Sequence, residues 1–230
     1  MNVQDIRGLF RSAYREGNFV TDKSGVKMVE LTGVSFTADE PTIFGVENRE
    51  YVEREKAWYD SQSLSVNDIK PPVPEIWKAV ASKDGKINSN YGWCVYSLGN
   101  EHQYSHVLST LMNQEQSRRA VMVYTRPSIQ EDYRKDGMSD FICTNAVQYL
   151  IRDDQLKVIV QMRSNDVVFG YKNDLAWQVE VQERLLTDLN KFRHDGQLTS
   201  GEITWQVGSL HIYERHFRYL ESCLLEKDMV

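Results

Sequence analysis

The sequence predicts an α+β fold, a mixed sheet with helices around it. Three observations carry that expectation. Segments of helical and strand period intermingle without a strict βαβ rhythm. Two strand-like runs, 142–151 and 156–162, are separated only by Arg152-Asp153-Asp154-Gln155, which reads as a hairpin turn. Hydrophobic residues make up 41% of the 230, enough for a sizeable core and too many for a disordered chain. One domain is expected over residues 1–230.

The elements follow in order. Ile6, Leu9, Phe10 and Tyr14 give 3–15 a helical spacing, which Gly17-Asn18 breaks. Residues 26–36 are apolar and β-branched and read as strand. Residues 49–60 return to helix, with Tyr51, Val52, Trp58 and Tyr59 as its large apolar positions. Pro71-Pro72-Val73-Pro74 is a rigid loop too short to be a domain linker. Residues 99–113 read as helix and 120–124 as a short buried strand, and the hairpin follows. Asn173-Asp174 signals a helix start, after which Leu175, Val179, Leu185, Leu186 and Leu189 keep helical spacing. Residues 203–213 alternate as a strand, and 214–226 form the last helix.

Composition excludes several functions. The net charge of −6 argues against a protein that grips duplex DNA, yet it permits a small phosphorylated ligand. Cys94, Cys143 and Cys223 are widely spaced and odd in number, so neither a disulfide framework nor a thiolate zinc site is expected. No apolar run is long enough to span a bilayer, and Met1-Asn2-Val3-Gln4-Asp5 lacks a signal-peptide pattern. A reducing cytoplasm and no metal are the expectations.

Taken singly, the chemical candidates have plain readings. A cysteine in an apolar strand, as Cys143 is, most often only packs; a nucleophile would need nearby cations such as Arg118, Arg119, Arg126 or Arg163. Arg118-Arg119 is either a solvated strand end or a phosphate clamp. Arg163-Ser164-Asn165-Asp166 gathers a cation, a hydroxyl, an amide and a carboxylate, as an anion site would. His211 and Tyr213, two apart on a strand, face one side. Glu55 stands three residues before Trp58 on a helix; it is either solvated or a proton shuttle tuned by an aromatic wall. Asp174 reads first as a helix cap. No Walker loop, dinucleotide fingerprint or His-Glu-x-x-His occurs.

Read together and in order, these segments resemble the thymidylate synthase family from about Phe19 to Phe217, and within it the phage branch that hydroxymethylates deoxycytidylate. Asp22-Lys23-Ser24-Gly25 is similar to the phosphate loop, with Lys23 where arginine is usual. Glu55-Lys56-Ala57-Trp58 matches the helix whose glutamate orders water. Ile76-Trp77 and Asn90-Tyr91-Gly92 match folate-side positions. Ser117-Arg118-Arg119 matches the arginine pair that crosses a dimer interface to the partner's nucleotide phosphate. Cys143 with Gln148 matches the nucleophile strand. Arg163-Ser164-Asn165-Asp166 with Gly170 matches the stretch that binds phosphate and folate. His211-Ile212-Tyr213 matches the pair that binds the deoxyribose hydroxyl.

The resemblance implies a thymidylate-synthase-like homodimer with its sheets back to back. It implies catalytic Cys143, Glu55 and Asp174. Lys23, Arg118, Arg119, Arg163, Ser164, Gln148, His211 and Tyr213 would hold dCMP. Trp77, Asp166 and Tyr91 would hold 5,10-methylenetetrahydrofolate. Other phage nucleotide-synthesis enzymes are possible partners, in the cytoplasm of an infected host; duplex DNA and membrane are not expected.

Departures sharpen the expectation. Synthases read uracil with an asparagine four residues after the matched glycine; here that position is Asp174. Cytosine offers a donor at its 4-amino group, which a carboxylate accepts, whereas O4 of uracil would leave that carboxylate unpaired. Synthases commonly have Pro-Cys-His where this chain has Ile142-Cys143-Thr144. The tail over 225–230 does not look like the apolar closing tail of synthases. Thymidylate synthesis, dUMP hydroxymethylation and non-catalytic nucleotide binding are the alternatives.

Overall fold

A computed structural model describes residues 1–194 and 196–221. Among them the helices are α1 (Val3–Arg15), α2 (Arg49–Asp60), α3 (Glu75–Val80), α4 (Tyr91–Tyr96), α5 (Gln103–Asn113), α6 (Ile129–Asp132), α7 (Gly170–Asn190) and α8 (Arg218–Glu221). The strands are β1 (Val20–Thr21), β2 (Lys27–Thr37), β3 (Val121–Val123), β4 (Thr144–Arg152), β5 (Gln155–Asp166) and β6 (Thr199–Tyr213). They form one sheet in the order β1-β2-β6-β5-β4-β3. β2 pairs antiparallel with β6, and β3 with β4. Gly201 lies against Leu156 and Gly208 against Arg163, so β6 runs parallel to β5 and the sheet is mixed. The class is α+β, as expected. No helix of the described residues is long and apolar enough to cross a membrane.

The chain divides into two compact units, 1–47 with 159–180 and 202–230, and 48–158 with 181–201. In the first, α1 is fixed by a capping box. Asn2 accepts from the Asp5 backbone N–H at 3.0 Å, and Asp5 accepts from that of Asn2 at 2.9 Å. Its buried face is Val3, Ile6 and Phe10, while Leu9 is exposed. The strands of this unit share a crease. Gly33 adopts φ +64°, and the β2–β6 register skips Gly33 and Gly208. Across it the inward positions change parity: Val29 gives way to Phe36 in β2, Trp205 and Val207 to Leu210 and Ile212 in β6, and Val160 and Met162 to Asn165 in β5. Such an irregularity re-aims side chains.

In the second unit the β4–β5 turn falls where expected, with Asp153 and Asp154 both at positive φ, as a two-residue hairpin of matching twist requires. α2 and α4 touch at Gly92, where a Cβ would lie 1.7 Å from the Tyr59 carbonyl oxygen. Asn90 secures the junction. Its amide donates to the carbonyls of Trp58 and Ser63, both at 2.9 Å, and its oxygen caps α4 through the Trp93 N–H.

Several boundaries differ from the sequence reading. α7 begins at Gly170, not at 173, because the Asp166 carboxylate accepts from the N–H groups of Val168 and Phe169 at 2.8 and 2.6 Å and turns the chain earlier. Asp174 is therefore its fifth residue and not a cap. α5 begins at Gln103, after a single 3₁₀ turn over Leu98–Asn100. Helices α3 and α4, six residues each, were not expected: so short a segment shows no period. Of the helix expected over 214–226, the structure gives a 3₁₀ turn at Glu214–His216 and α8; residues 222–226 and the tail over 225–230 lie outside the described residues.

Candidate active site

The first unit gathers Lys23, Arg163, Ser164, Asp166, Asp174, His211 and Tyr213. Lys23 is exposed in the turn between β1 and β2, which Asp22 organises by accepting from the Ser24 N–H and hydroxyl and the Val26 N–H. Those bonds, the Ser24 hydroxyl's first, hold the Asp22 carboxyl below its usual range. Strand pairing sets Met28 opposite Tyr213 and Glu30 opposite His211. The His211 and Tyr213 rings meet edge to face at 5.0 Å. Burial pulls the His211 pKa below its ordinary value, against the opposing charges of Asp166, Glu30 and Asp22. The imidazole is thus neutral at physiological pH, able to donate from one nitrogen and accept at the other.

Asp174 is half-buried on the first turns of α7. Its Oδ2 accepts from the Asn165 side-chain amide at 2.7 Å. Asn165 is 4% exposed, and its own oxygen accepts from the indole N–H of fully buried Trp205 at 3.2 Å. A Cβ at Gly170 would approach the Asn165 nitrogen to 2.9 Å, so the missing side chain makes room for that amide. Asp166 spends Oδ1 on the turn into α7, while buried Oδ2 has no hydrogen-bond partner among the described residues. An unmatched buried acceptor suits the N–H groups of a pterin, as the folate expectation requires.

The second unit holds Glu55, Trp77, Tyr91, Arg118, Arg119, Cys143 and Gln148. Glu55 is 6% exposed, not a solvated helix residue. Its Oε1 accepts from the Tyr51 hydroxyl at 2.5 Å and from the Trp77 indole at 3.3 Å. Trp58 stands edge-on to Trp77 at 5.2 Å. Burial pushes the Glu55 carboxyl up to about 7 against those two hydrogen bonds. A carboxyl poised there both gives and takes protons near neutrality.

Of the two cysteines in the described residues, Cys94 is sealed in the core and burial pushes its thiol up to about 12, which makes it inert. Cys143 is half-buried at the lip of β4, not within the strand as expected, with Sγ 3.9 Å from the Phe141 carbonyl oxygen. Three residues earlier, buried Asp140 accepts from the Asn88 N–H at 2.6 Å and from the Ser89 N–H and hydroxyl at 2.8 and 2.7 Å. It thereby ties the approach to Cys143 to the approach to Tyr91. Arg126, one of the cations considered for Cys143, is engaged by Asp132 at 3.0 Å and by the Asn88 oxygen at 2.9 Å.

Arg118 and Arg119 are both exposed, ahead of β3. The Gln148 amide donates to the Arg118 carbonyl at 2.8 Å and so steadies that pair from below. Tyr91 is buried, stacked on Tyr59 at 5.4 Å and edge-on to Tyr124 at 5.3 Å. Sequence reasoning missed Tyr51, Asn165 as a partner of Asp174, and Asp140. The i,i+4 spacing of Tyr51 and Glu55 was a usable signal; the contacts of Asp140 span some fifty residues and left none.

The chain belongs to the thymidylate synthase family, whose model matches residues 8–229, and it is an enzyme that transfers a one-carbon unit to a pyrimidine nucleotide. Deoxycytidylate 5-hydroxymethyltransferase of Enterobacteria phage T4 is 55% identical over 217 residues, 94% of this chain and 88% of its own. Its counterpart from Enterobacteria phage T6 is equally similar. Thymidylate synthase of Francisella philomiragia is 26% identical over 183 residues, 75% of this chain and 64% of that protein.

Proposed function

We propose that this enzyme converts dCMP to 5-hydroxymethyl-dCMP, with 5,10-methylenetetrahydrofolate as one-carbon donor and tetrahydrofolate as by-product. The observation that carries the reading is Asp174, a half-buried carboxylate held by an amide at the position where synthases read uracil with asparagine. A carboxylate accepts from the 4-amino group of cytosine; the pairing at N3 needs a proton on the base or on the acid. Relatives at 55% identity that bear the hydroxymethyltransferase name support the same choice.

The Cys143 thiolate adds to C6 of cytosine, and the displaced electron pair makes C5 nucleophilic. The folate supplies one carbon at the oxidation level of formaldehyde and no hydride. After C5 has bonded to that carbon, loss of the C5 proton expels the folate nitrogen, so that the carbon–nitrogen bond breaks, tetrahydrofolate leaves and an exocyclic methylene remains on the base. Water adds to it, and the C6–sulfur bond breaks to release Cys143. Glu55, poised near neutrality, steers that water and moves its proton. Lys23, Arg163 and Ser164, with Arg118 and Arg119 supplied by a second copy in a back-to-back homodimer, neutralise the phosphate. His211 and Tyr213 hold the 3′-hydroxyl. Trp77, Asp166 and Tyr91 hold the folate. We place the work in the cytoplasm of an infected host.

Incubation with dCMP or dUMP plus 5,10-methylenetetrahydrofolate, followed by mass analysis, tests this. Gain of a CH₂O unit on dCMP alone is expected. Conversion of dUMP to thymidylate with dihydrofolate formed would overturn it.

A further inference from the structure

A carboxylate that selects a base must itself be aimed, and one group that touches Asp174 is the Asn165 amide. We propose that Asn165, locked by Trp205, is a positioning residue that sets nucleobase specificity; the inference rests on the reading of Asp174 above. An asparagine side chain has one accepting end and one donating end, and flipping exchanges them. An indole N–H only donates. Trp205 therefore dictates that the Asn165 oxygen faces it, at 3.2 Å, and the nitrogen is turned to Asp174, at 2.7 Å.

The consequence is geometric. Both oxygens of a carboxylate lie in one plane, so pinning Oδ2 to a fixed amide sets the direction of Oδ1 as well. Losing the pin removes one restraint on χ2, a broad torsion, and a base with an acceptor at position 4 then meets a less rigidly directed opposing acceptor. The lock is built, not incidental. Trp205 is fully buried and Asn165 nearly so, the Trp205 ring is braced edge-on by Tyr171 at 5.4 Å, and Gly170 leaves the space the amide fills. Asn165 also sits at the crease, where the parity change in β5 turns it inward.

Asn165→Leu keeps the branched shape and removes both hydrogen bonds; Trp205→Phe keeps an aromatic ring and removes the N–H that orients the amide. The measurement is the ratio of kcat/KM for dCMP to that for dUMP, by mass analysis of products, beside a thermal melt. The ratio is expected to fall about ten- to hundredfold in Asn165→Leu, the range for a lost hydrogen bond to a charged group, and less in Trp205→Phe. An equal loss on both nucleotides, or an unchanged ratio, overturns the inference. If Asn165→Leu does not fold, Trp205→Phe decides in the same way. Asp174→Asn run in parallel separates the two ideas. If it keeps the dCMP preference, the reading of Asp174 has failed; if it moves toward dUMP while the Asn165 and Trp205 variants do not, only the present inference has.

Discussion

At the scale of single residues, the most informative group is Glu55. Its folded pKa of about 7 lies above the value of 4.5 for a free carboxyl, and burial is the cause. Between those two values the unfolded chain has released a proton that the folded chain keeps. Stability is therefore greatest below about pH 4.5 as far as this group is concerned, and it falls as pH rises toward 7. The whole shift corresponds to about 3 kcal/mol. Glu55→Gln should remove this dependence, so urea unfolding at pH 5 and pH 8 should differ less in the variant than in the parent; an unchanged difference would show that Glu55 is ionised in the fold. The same variant should lose most turnover. Cys143→Ala should abolish turnover while leaving dCMP affinity largely intact, whereas Cys94→Ser should cost stability and not chemistry, because Cys94 lies in the core. Steady-state kinetics and dCMP titration distinguish the two cysteines.

At the scale of elements, the long ones were legible and the short ones were not. The period over 3–15, the strand at 26–36, the helix at 49–60 and the Asp153-Asp154 hairpin stand within a few residues of expectation because local pattern and tertiary burial agree there. α3 and α4 were invisible: α4 is ordered by Asn90 and by the contact of Gly92 with Tyr59, and both depend on α2. The site was legible in the same uneven way. Glu55 with an aromatic wall and the facing pair of His211 and Tyr213 could be read from spacing. The partnership of Asn165 with Asp174 could not, since it depends on a parity change that alternation rules do not foresee. Gly92→Ala measures the contact directly. A methyl group 1.7 Å from the Tyr59 carbonyl forces α2 and α4 apart, and a loss of about 3 kcal/mol is expected by thermal or urea denaturation. A wild-type melt would mean that the two helices slide freely.

At the scale of the whole molecule, the exposed arginine pair decides whether one chain is enough. Arg118 and Arg119 point away from their own unit's core, and Gln148 fixes only the backbone beneath them. With the proposed exchange between copies, two inactive variants should complement. Cys143→Ala mixed with an Arg118→Ala, Arg119→Ala double variant, unfolded and refolded together, should recover turnover, because one mixed site inherits both the thiol and the cations. Failure to recover activity would place the arginines in the same chain's site. The crease through β2, β6 and β5 bears on how such a protein can change. On one side of Gly208 every second residue is packing, and on the other the alternate set carries His211 and Tyr213. Adding one residue to β6 on either side would exchange those sets wholesale. The strand can therefore drift in composition across generations but not in length, and natural variation in chain length should collect outside it.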